Sequence, residues 1–385
     1  MIKINTFKYS LLMFTGLLIG TLKSYGQLNQ AKAESEIKAV MEKYSMTGLA
    51  VAVVKNDDII YTHAFGLKDV ASRSPLTNQS LFRIASISKS FSATAIMQLV
   101  EAGKLSLNDD FGKLVGFKVR NPKYPETVIT LKMAMSHTSS INDSEGYFNL
   151  DAINPDKNVN WAKCYNDYEP GKGYRYCNLN YNMIGAIIEK CSGQRFDQYI
   201  KHHILDPLGL YGGYQVDSLD SSRFATLYEY DTLAKTFNPA PTAYASRSTD
   251  ISKYVLGYST PMLSPTGGMK ITATDLAKYM TMHMNFGKYK GTRILSKKSA
   301  KLMQTKISDP ENYGLALLST DKLIPGKIMT GHTGSAYGLY SSMFFQPKEK
   351  FGIVVITNGC IATYTDGFND ATKAALNVLY NNFIK

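Results

Sequence analysis

The sequence predicts an α/β (α+β) fold: an antiparallel sheet flanked by helices, with a mainly helical lobe inserted between the two halves of the sheet. Three observations lead there. Runs of β-forming residues cluster at both ends of the chain, the turns between them are short, and the middle, from about residue 105 to 270, is helical and loop-rich with little alternation. Short turns require antiparallel pairing, because parallel neighbours need a crossover of about a dozen residues or more.

The elements follow in order. From Gln30 to Tyr44 the apolar positions Ala33, Ile37, Val40 and Met41 share one helical face. Gly48 to Val54 and Ile59 to Phe65 read as strands joined across Asn56-Asp57-Asp58, the residue types of a tight hairpin. Near the other end Lys327 to His332, Tyr340 to Phe345 and Phe351 to Thr357 read as strands, and Asp366 to Phe383 as a closing helix. Residues 27–104 and 270–385 thus form an α/β lobe and 105–269 a mainly helical lobe of one domain, with a cleft expected at their junction.

Composition supports a packed core. Of 385 residues 44% are hydrophobic and 19% charged, which excludes disordered, collagenous and coiled-coil classes. The net charge of +12 suits an anionic surface or carboxylate-bearing substrates, but it is spread along the chain without the aromatic-interleaved basic stripe of a nucleic-acid binder and reads as a solvated, mildly steering surface. Residues 1–26 read as a signal peptide: Lys3 and Lys8 precede an apolar run from Tyr9 to Leu22, and Ser24 and Gly26 place cleavage before Gln27. That run is shorter than the roughly 20 residues of a membrane span, and no cysteine follows closely to carry a lipid. A periplasmic or secreted protein without a membrane anchor is expected. Cys164, Cys177, Cys191 and Cys360 match no zinc pattern. They leave two readings open, a Cys164–Cys177 disulfide or buried free thiols.

The chemistry is narrowed by exclusion. The chain has no His-Glu-x-x-His, no Gly-x-Ser-x-Gly, no Gly-x-Gly-x-x-Gly and no P-loop, so neither metal nor cofactor is expected. Ser86-Ile87-Ser88-Lys89 opens a helix predicted to run to about Ala102 and stop at Gly103. Three residues apart means one helical face, so the Lys89 amine can reach the Ser86 hydroxyl, which is a poor nucleophile until a base takes its proton. Tyr176-Cys177-Asn178 precedes a helix from Leu179 to Cys191. In an extended tripeptide its first and third side chains share a side, placing a phenol and an amide together, while Asn178 can alternatively cap the helix. His332-Thr333-Gly334-Ser335 ends a predicted strand. Gly334 leaves room for a substrate backbone, His332 and Thr333 can meet an anionic terminus, and the Ser335 amide can join that of Ser86 in an oxyanion hole. Short matches to Ser-x-x-Lys and Tyr-x-Asn recur elsewhere, at Ser35, Ser319, Tyr147 and Tyr380, so each motif alone carries little weight.

The order of the three motifs is what discriminates. Ser-x-x-Lys, then Tyr-x-Asn, then His-Thr-Gly resembles the serine β-lactamase and penicillin-binding family of class C β-lactamases, DD-carboxypeptidases and esterase-like serine hydrolases. Ile129-Thr130-Leu131, His137-Thr138-Ser139, Glu169-Pro170-Gly171, Gly267-Gly268 and Asp275-Leu276-Ala277 extend the likeness over nearly the whole mature chain. The resemblance implies a β-lactamase/transpeptidase-like fold. It also implies Ser86 as acylated nucleophile, Lys89 as its general-base partner, Tyr176 as proton relay, Asn178, His332, Thr333 and Gly334 as substrate contacts, and Ser86 and Ser335 as the oxyanion pair, while the motifs leave open whether Lys89 or Tyr176 is the base. The implied activity is hydrolysis of D-amino-acid peptides, esters or β-lactams, with a small-molecule or peptidoglycan-derived peptide as substrate. A non-turnover penicillin-binding or sensor protein using the same cleft is the alternative. Two positions depart from the family: His332 replaces the lysine usual in class C β-lactamases, and Ser140 stands where glycine is common.

Overall fold

The computed structural model describes residues 28–309 and 311–385; the proposed signal segment lies outside them. The chain opens with helix α1 (28–43), whose Ala33 and Ile37 are fully buried. Strand β1 (Gly48–Lys55) turns through Asn56 and Asp57, both at positive φ, into β2 (Asp58–Asp69). Two successive positive φ values define the hairpin turn whose twist matches that of the strands it joins, and asparagine and aspartate tolerate it best after glycine. β2 runs longer than expected and pairs at its far end with the short β3 (Ser74–Pro75).

The sheet is completed from the other end of the chain by β4 (Leu318–Ile324), β5 (Lys327–Ala336), β6 (Leu339–Gln346) and β7 (Phe351–Thr357), in the order β4-β5-β6-β7-β1-β2-β3 with every pair antiparallel. The join between the two ends is β1 against β7, in register from Leu49 opposite Thr357 to Lys55 opposite Phe351. β4 was not expected. Its Asp321 and Lys322 are exposed and its pairing with β5 is interrupted by a register shift, so neither alternation nor a hydrophobic run marks it.

Successive side chains of a strand face opposite sides, and β1 feeds two cores accordingly. Ala50, Ala52 and Val54 join the larger core, while Leu49, Val51 and Val53 join a second one with Ile37, Leu376 and Leu379. The larger core is covered by α2 (Ser88–Glu101), α3 (Asn178–Ser192) and α4 (Ala273–Met284); the second is covered by α1 and α5 (Asp370–Leu379). Covering both faces is why β1 and β7 read as continuous apolar runs rather than alternating ones. The two-residue strand Phe82–Arg83, just before the Ser86 segment, pairs with Lys270–Ile271 and ties the chain leaving the sheet to the chain returning to it. All four cysteines are free thiols, which removes the disulfide reading. Among the described residues no helix is long and apolar enough to cross a membrane.

Candidate active site

Ser86 sits in a single 3-10 turn, Ala85–Ile87, that leads into α2; the regular helix begins only at Ser88 and runs to Glu101, with Gly103 at positive φ after it. Ala85 itself has φ +49°, a left-handed conformation that costs a non-glycine residue energy and persists only where the surroundings impose it. They do. The Ile84 carbonyl accepts from Ser341 Oγ at 3.0 Å, and the Ile84 amide donates to Met269 O at 2.9 Å. The Met269 amide in turn donates to Ser88 Oγ at 3.0 Å. The sheet and the returning chain therefore clamp the turn from two sides.

Lys89 is completely buried and its Nζ donates to Ser86 Oγ at 3.2 Å, Asn178 Oδ1 at 2.9 Å and Thr266 O at 3.1 Å. Burial drives its pKa down from 10.5 to about 7, and the charges of Asp143 and Cys177 only partly offset this. The amine also lies 4.7 Å from the centroid of the Tyr176 ring. The Tyr176 hydroxyl is buried and makes no hydrogen bond of normal geometry among the described residues. Burial pushes this phenol well above its ordinary value, and the neighbouring Ser86 hydroxyl counteracts that only in part.

Asn178 is the first residue of α3, with Cys177 as N-cap. Its side chain does not cap the helix. Oδ1 takes Lys89 and Thr266 Oγ1, the latter at 2.9 Å, and Nδ2 donates to Asp143 Oδ2 at 2.9 Å. Asp143 supplies the cap from a distant loop, accepting the Asn178 and Leu179 amides at 2.9 Å each and the Cys177 thiol at 3.2 Å. A carboxylate at a helix N-terminus satisfies orphan amides and complements the macrodipole. His137 supports the same tripeptide from behind, its Nδ1 accepting from the Cys177 amide at 3.2 Å and its ring centroid 4.3 Å from that of Tyr176.

The strand wall differs from the expectation in two respects. His332 Nε2 pairs with the Tyr313 hydroxyl at 3.0 Å and Nδ1 with Thr333 O at 2.5 Å, so both ring nitrogens are engaged. Burial, reinforced by the Lys89 charge, lowers its pKa to about 3, which keeps the ring neutral at physiological pH. It therefore offers neither a cation nor a spare N–H to an anionic terminus. The space at Gly334 is used by the protein itself. A Cβ there would lie 2.2 Å from Ile84 O and 2.4 Å from Ser341 Oγ, so the missing side chain lets β5 press on the Ser86 turn rather than making room for substrate. Ser86, Tyr176, Asn178, His332, Thr333 and Ser335 all line one cavity of about 870 Å³; Gly334 is absent from its wall.

Asp143, Thr266, Tyr313 and His137 were not singled out from the sequence as parts of the site. They reach it from loops, with Asp143 35 residues from Asn178 and without a shared periodicity. Among the described residues no group of three His, Cys, Asp or Glu side chains could hold a metal ion.

A hydroxyl and a phenol on one cavity wall, with an amine of pKa about 7 bonded to the hydroxyl from behind, are what an acyl transfer needs, and with the two-faced antiparallel sheet they define a serine-hydrolase fold of the penicillin-recognising class. The chain belongs to the Beta-lactamase family, whose model matches residues 33–373. Penicillin-binding protein 4 of Amycolatopsis lactamdurans is 28% identical over 89% of this chain and 89% of its own length. The octameric penicillin-binding protein homologue from Pyrococcus abyssi superposes with a TM-score of 0.73 at 28% identity, covering 91% of this chain and 77% of that one. EstCE1, described as a hydrolase with promiscuous acyltransferase activity, shares the fold with a TM-score of 0.72 at 21% identity, over 92% of this chain and 99% of that one.

Proposed function

We propose that this chain is an exported serine hydrolase that forms an acyl-enzyme at Ser86 and prefers ester or D-amino-acid peptide substrates to β-lactams. The observation that carries it is the Lys89 amine, fully buried, 3.2 Å from Ser86 Oγ and poised near neutrality. Unprotonated, this amine accepts the hydroxyl proton as Ser86 Oγ bonds to the substrate carbonyl carbon. Tyr176 is too basic as phenolate to be the resting base; as a phenol it gives its proton to the departing alcohol or amine and takes the serine proton over from Lys89, which leaves the amine neutral again. The Ser86 and Ser335 amides stabilise the oxyanion. Water, deprotonated by the same amine, then releases the acid and restores Ser86. Asn178 holds Lys89 in register and touches substrate from the cavity wall.

The neutral His332 disfavours a substrate that depends on a cationic strand residue. Export follows from the segment before Gln27, and amino-terminal sequencing of the exported protein should begin there. The decisive test is labelling with a fluorophosphonate, alongside parallel hydrolysis of nitrocefin, a D-Ala-D-Ala peptide and a short p-nitrophenyl ester. Labelling should vanish in Ser86→Ala, and the ester should be cleaved with nitrocefin slow. Equal labelling of that variant sinks the proposal, and stable acylation without product release makes the protein a penicillin-binding sensor.

A further inference from the structure

The Ser86 turn packs against β5 at Gly334, between His332 and Ala336, and so separates two ends of the cleft. His332 and Ala336 are roughly 13 Å apart along β5 at about 3.3 Å per residue, and Tyr337 continues beyond. At the first end stands Tyr176, its ring centroid 6.2 Å from that of His332. At the other stands Arg83, its guanidinium carbon 4.8 Å from the Tyr337 ring centroid. Arg83 and Tyr337 line the same cavity as Ser86. Tyr176 protonates the departing group in the mechanism proposed above, so the leaving half of a substrate occupies the His332 end and the acyl half extends toward Arg83.

Arg83 is only 7% exposed, yet among the described residues no acid balances it. Its Nε donates to Gly267 O at 3.0 Å, Nη1 to Ala243 O at 3.3 Å and Nη2 to Ser264 Oγ at 3.4 Å, all neutral acceptors. A guanidinium has five N–H bonds, so one on each terminal nitrogen is left without a protein partner. Directly across the short strand pair is Lys270, also buried, whose Nζ donates to Tyr214 O at 2.6 Å. Burial holds the Lys270 amine well below its ordinary pKa, with Asp217 and Asp197 offsetting this only in part, so the cation that Arg83 feels at this end is Arg247, engaged by Asp250 at 3.6 Å. Glu229, an exposed carboxylate on the cavity wall, forms no ion pair with Arg83. A buried charge lacking a counter-ion is costly. A carboxylate accepts two such N–H bonds at once and supplies the missing charge.

We propose that Arg83 is an anion subsite for the acyl half of the substrate, so that the preferred acyl group carries a free carboxylate several bonds from the scissile carbonyl. This rests on the reading of Ser86 as nucleophile and adds an anionic acyl group to it. The test compares two p-nitrophenyl esters of equal chain length, the mono-adipate and the hexanoate. In the intact protein at low salt kcat/KM should favour the adipate at least tenfold. In Arg83→Gln the adipate-to-hexanoate ratio should fall to within twofold of unity, and Arg83→Lys should keep part of the preference.

Equal or reversed preference in the intact protein overturns the subsite, and equal loss on both esters in Arg83→Gln makes Arg83 a structural anchor. Should neither ester be hydrolysed, the hydrolase reading fails separately. Calorimetry of the intact protein then decides the subsite: binding of adipate but not of neutral adipamide supports it, and no difference between them removes it. The same calorimetry decides if Arg83→Gln does not fold.

Discussion

Lys89, behind Ser86, and His332, on the cavity wall, are both buried and both bases, yet the molecule uses burial to different ends. Lys89 is pulled from 10.5 to about 7 and His332 from 6.5 to about 3. The lysine keeps a reacting hydroxyl among its partners, so the lone pair freed by deprotonation faces Ser86. The imidazole spends both nitrogens on Tyr313 and Thr333 and has nothing left for a substrate. Burial alone therefore does not make a catalytic base; what the base is aimed at decides.

The largest effect that bears on this contrast is removal of the lysine. Lys89→Met preserves the apolar stem and removes the amine, and the rate of Ser86 labelling by a fluorophosphonate should drop by about 10³-fold, within the usual span for a general base. A loss below about tenfold would move the base elsewhere. In the intact enzyme kcat/KM should rise with pH through about 7, because only the deprotonated amine accepts the serine proton, and should fall about tenfold per pH unit below that midpoint.

Next comes the carboxylate that restrains the lysine. Asp143 raises the Lys89 pKa, so Asp143→Asn should shift the acidic limb to lower pH. It should also cost roughly 1–2 kcal/mol of stability, because two helix-start amides lose their charged acceptor. A destabilised variant with an unmoved limb would leave Asp143 a purely structural cap. His332→Gln, by contrast, should change kcat/KM for a neutral ester by less than about fivefold and leave the limb in place. Only a larger loss, or a moved limb, would put the imidazole in the proton path.

How much of this the sequence carried follows from where each signal resides. The paired ends of the chain were legible because β1 and β7 are apolar throughout and their neighbours are joined by short turns. β4 was not, since exposed Asp321 and Lys322 separate buried Thr320 from buried Leu323 and Ile324 and break the alternation that would mark a strand. The identities of Ser86, Lys89, Tyr176 and Asn178 were legible as ordered motifs. Their electrostatics were not, because Asp143, Thr266 and Tyr313 arrive through tertiary contacts between segments far apart in sequence. His332 was found as a residue, but its neutral state depends on Tyr313 and on burial, neither of which its neighbours in sequence encode.

Ser140 yields the smallest effect and isolates backbone from chemistry. Its φ is +64°, the conformation that glycine adopts at little cost and that explains why glycine is common there in the family it resembles. The serine is retained at the expense of left-handed strain, and its hydroxyl accepts from Asn121 Nδ2 at 3.0 Å. In Ser140→Gly the relief of roughly 1–2 kcal/mol is opposed by loss of a buried hydrogen bond of about 1 kcal/mol and by the greater freedom of the unfolded chain, up to about 1 kcal/mol. The net change in unfolding free energy should stay within about 1 kcal/mol of zero, measured by urea denaturation with the slope unchanged. Because Ser140 touches neither Lys89 nor Ser86 by hydrogen bond, the pH limb near 7 should not move. A shifted limb in this variant would mean that the turn after His137 sets the position of Tyr176, and so the electrostatics of the lysine wall.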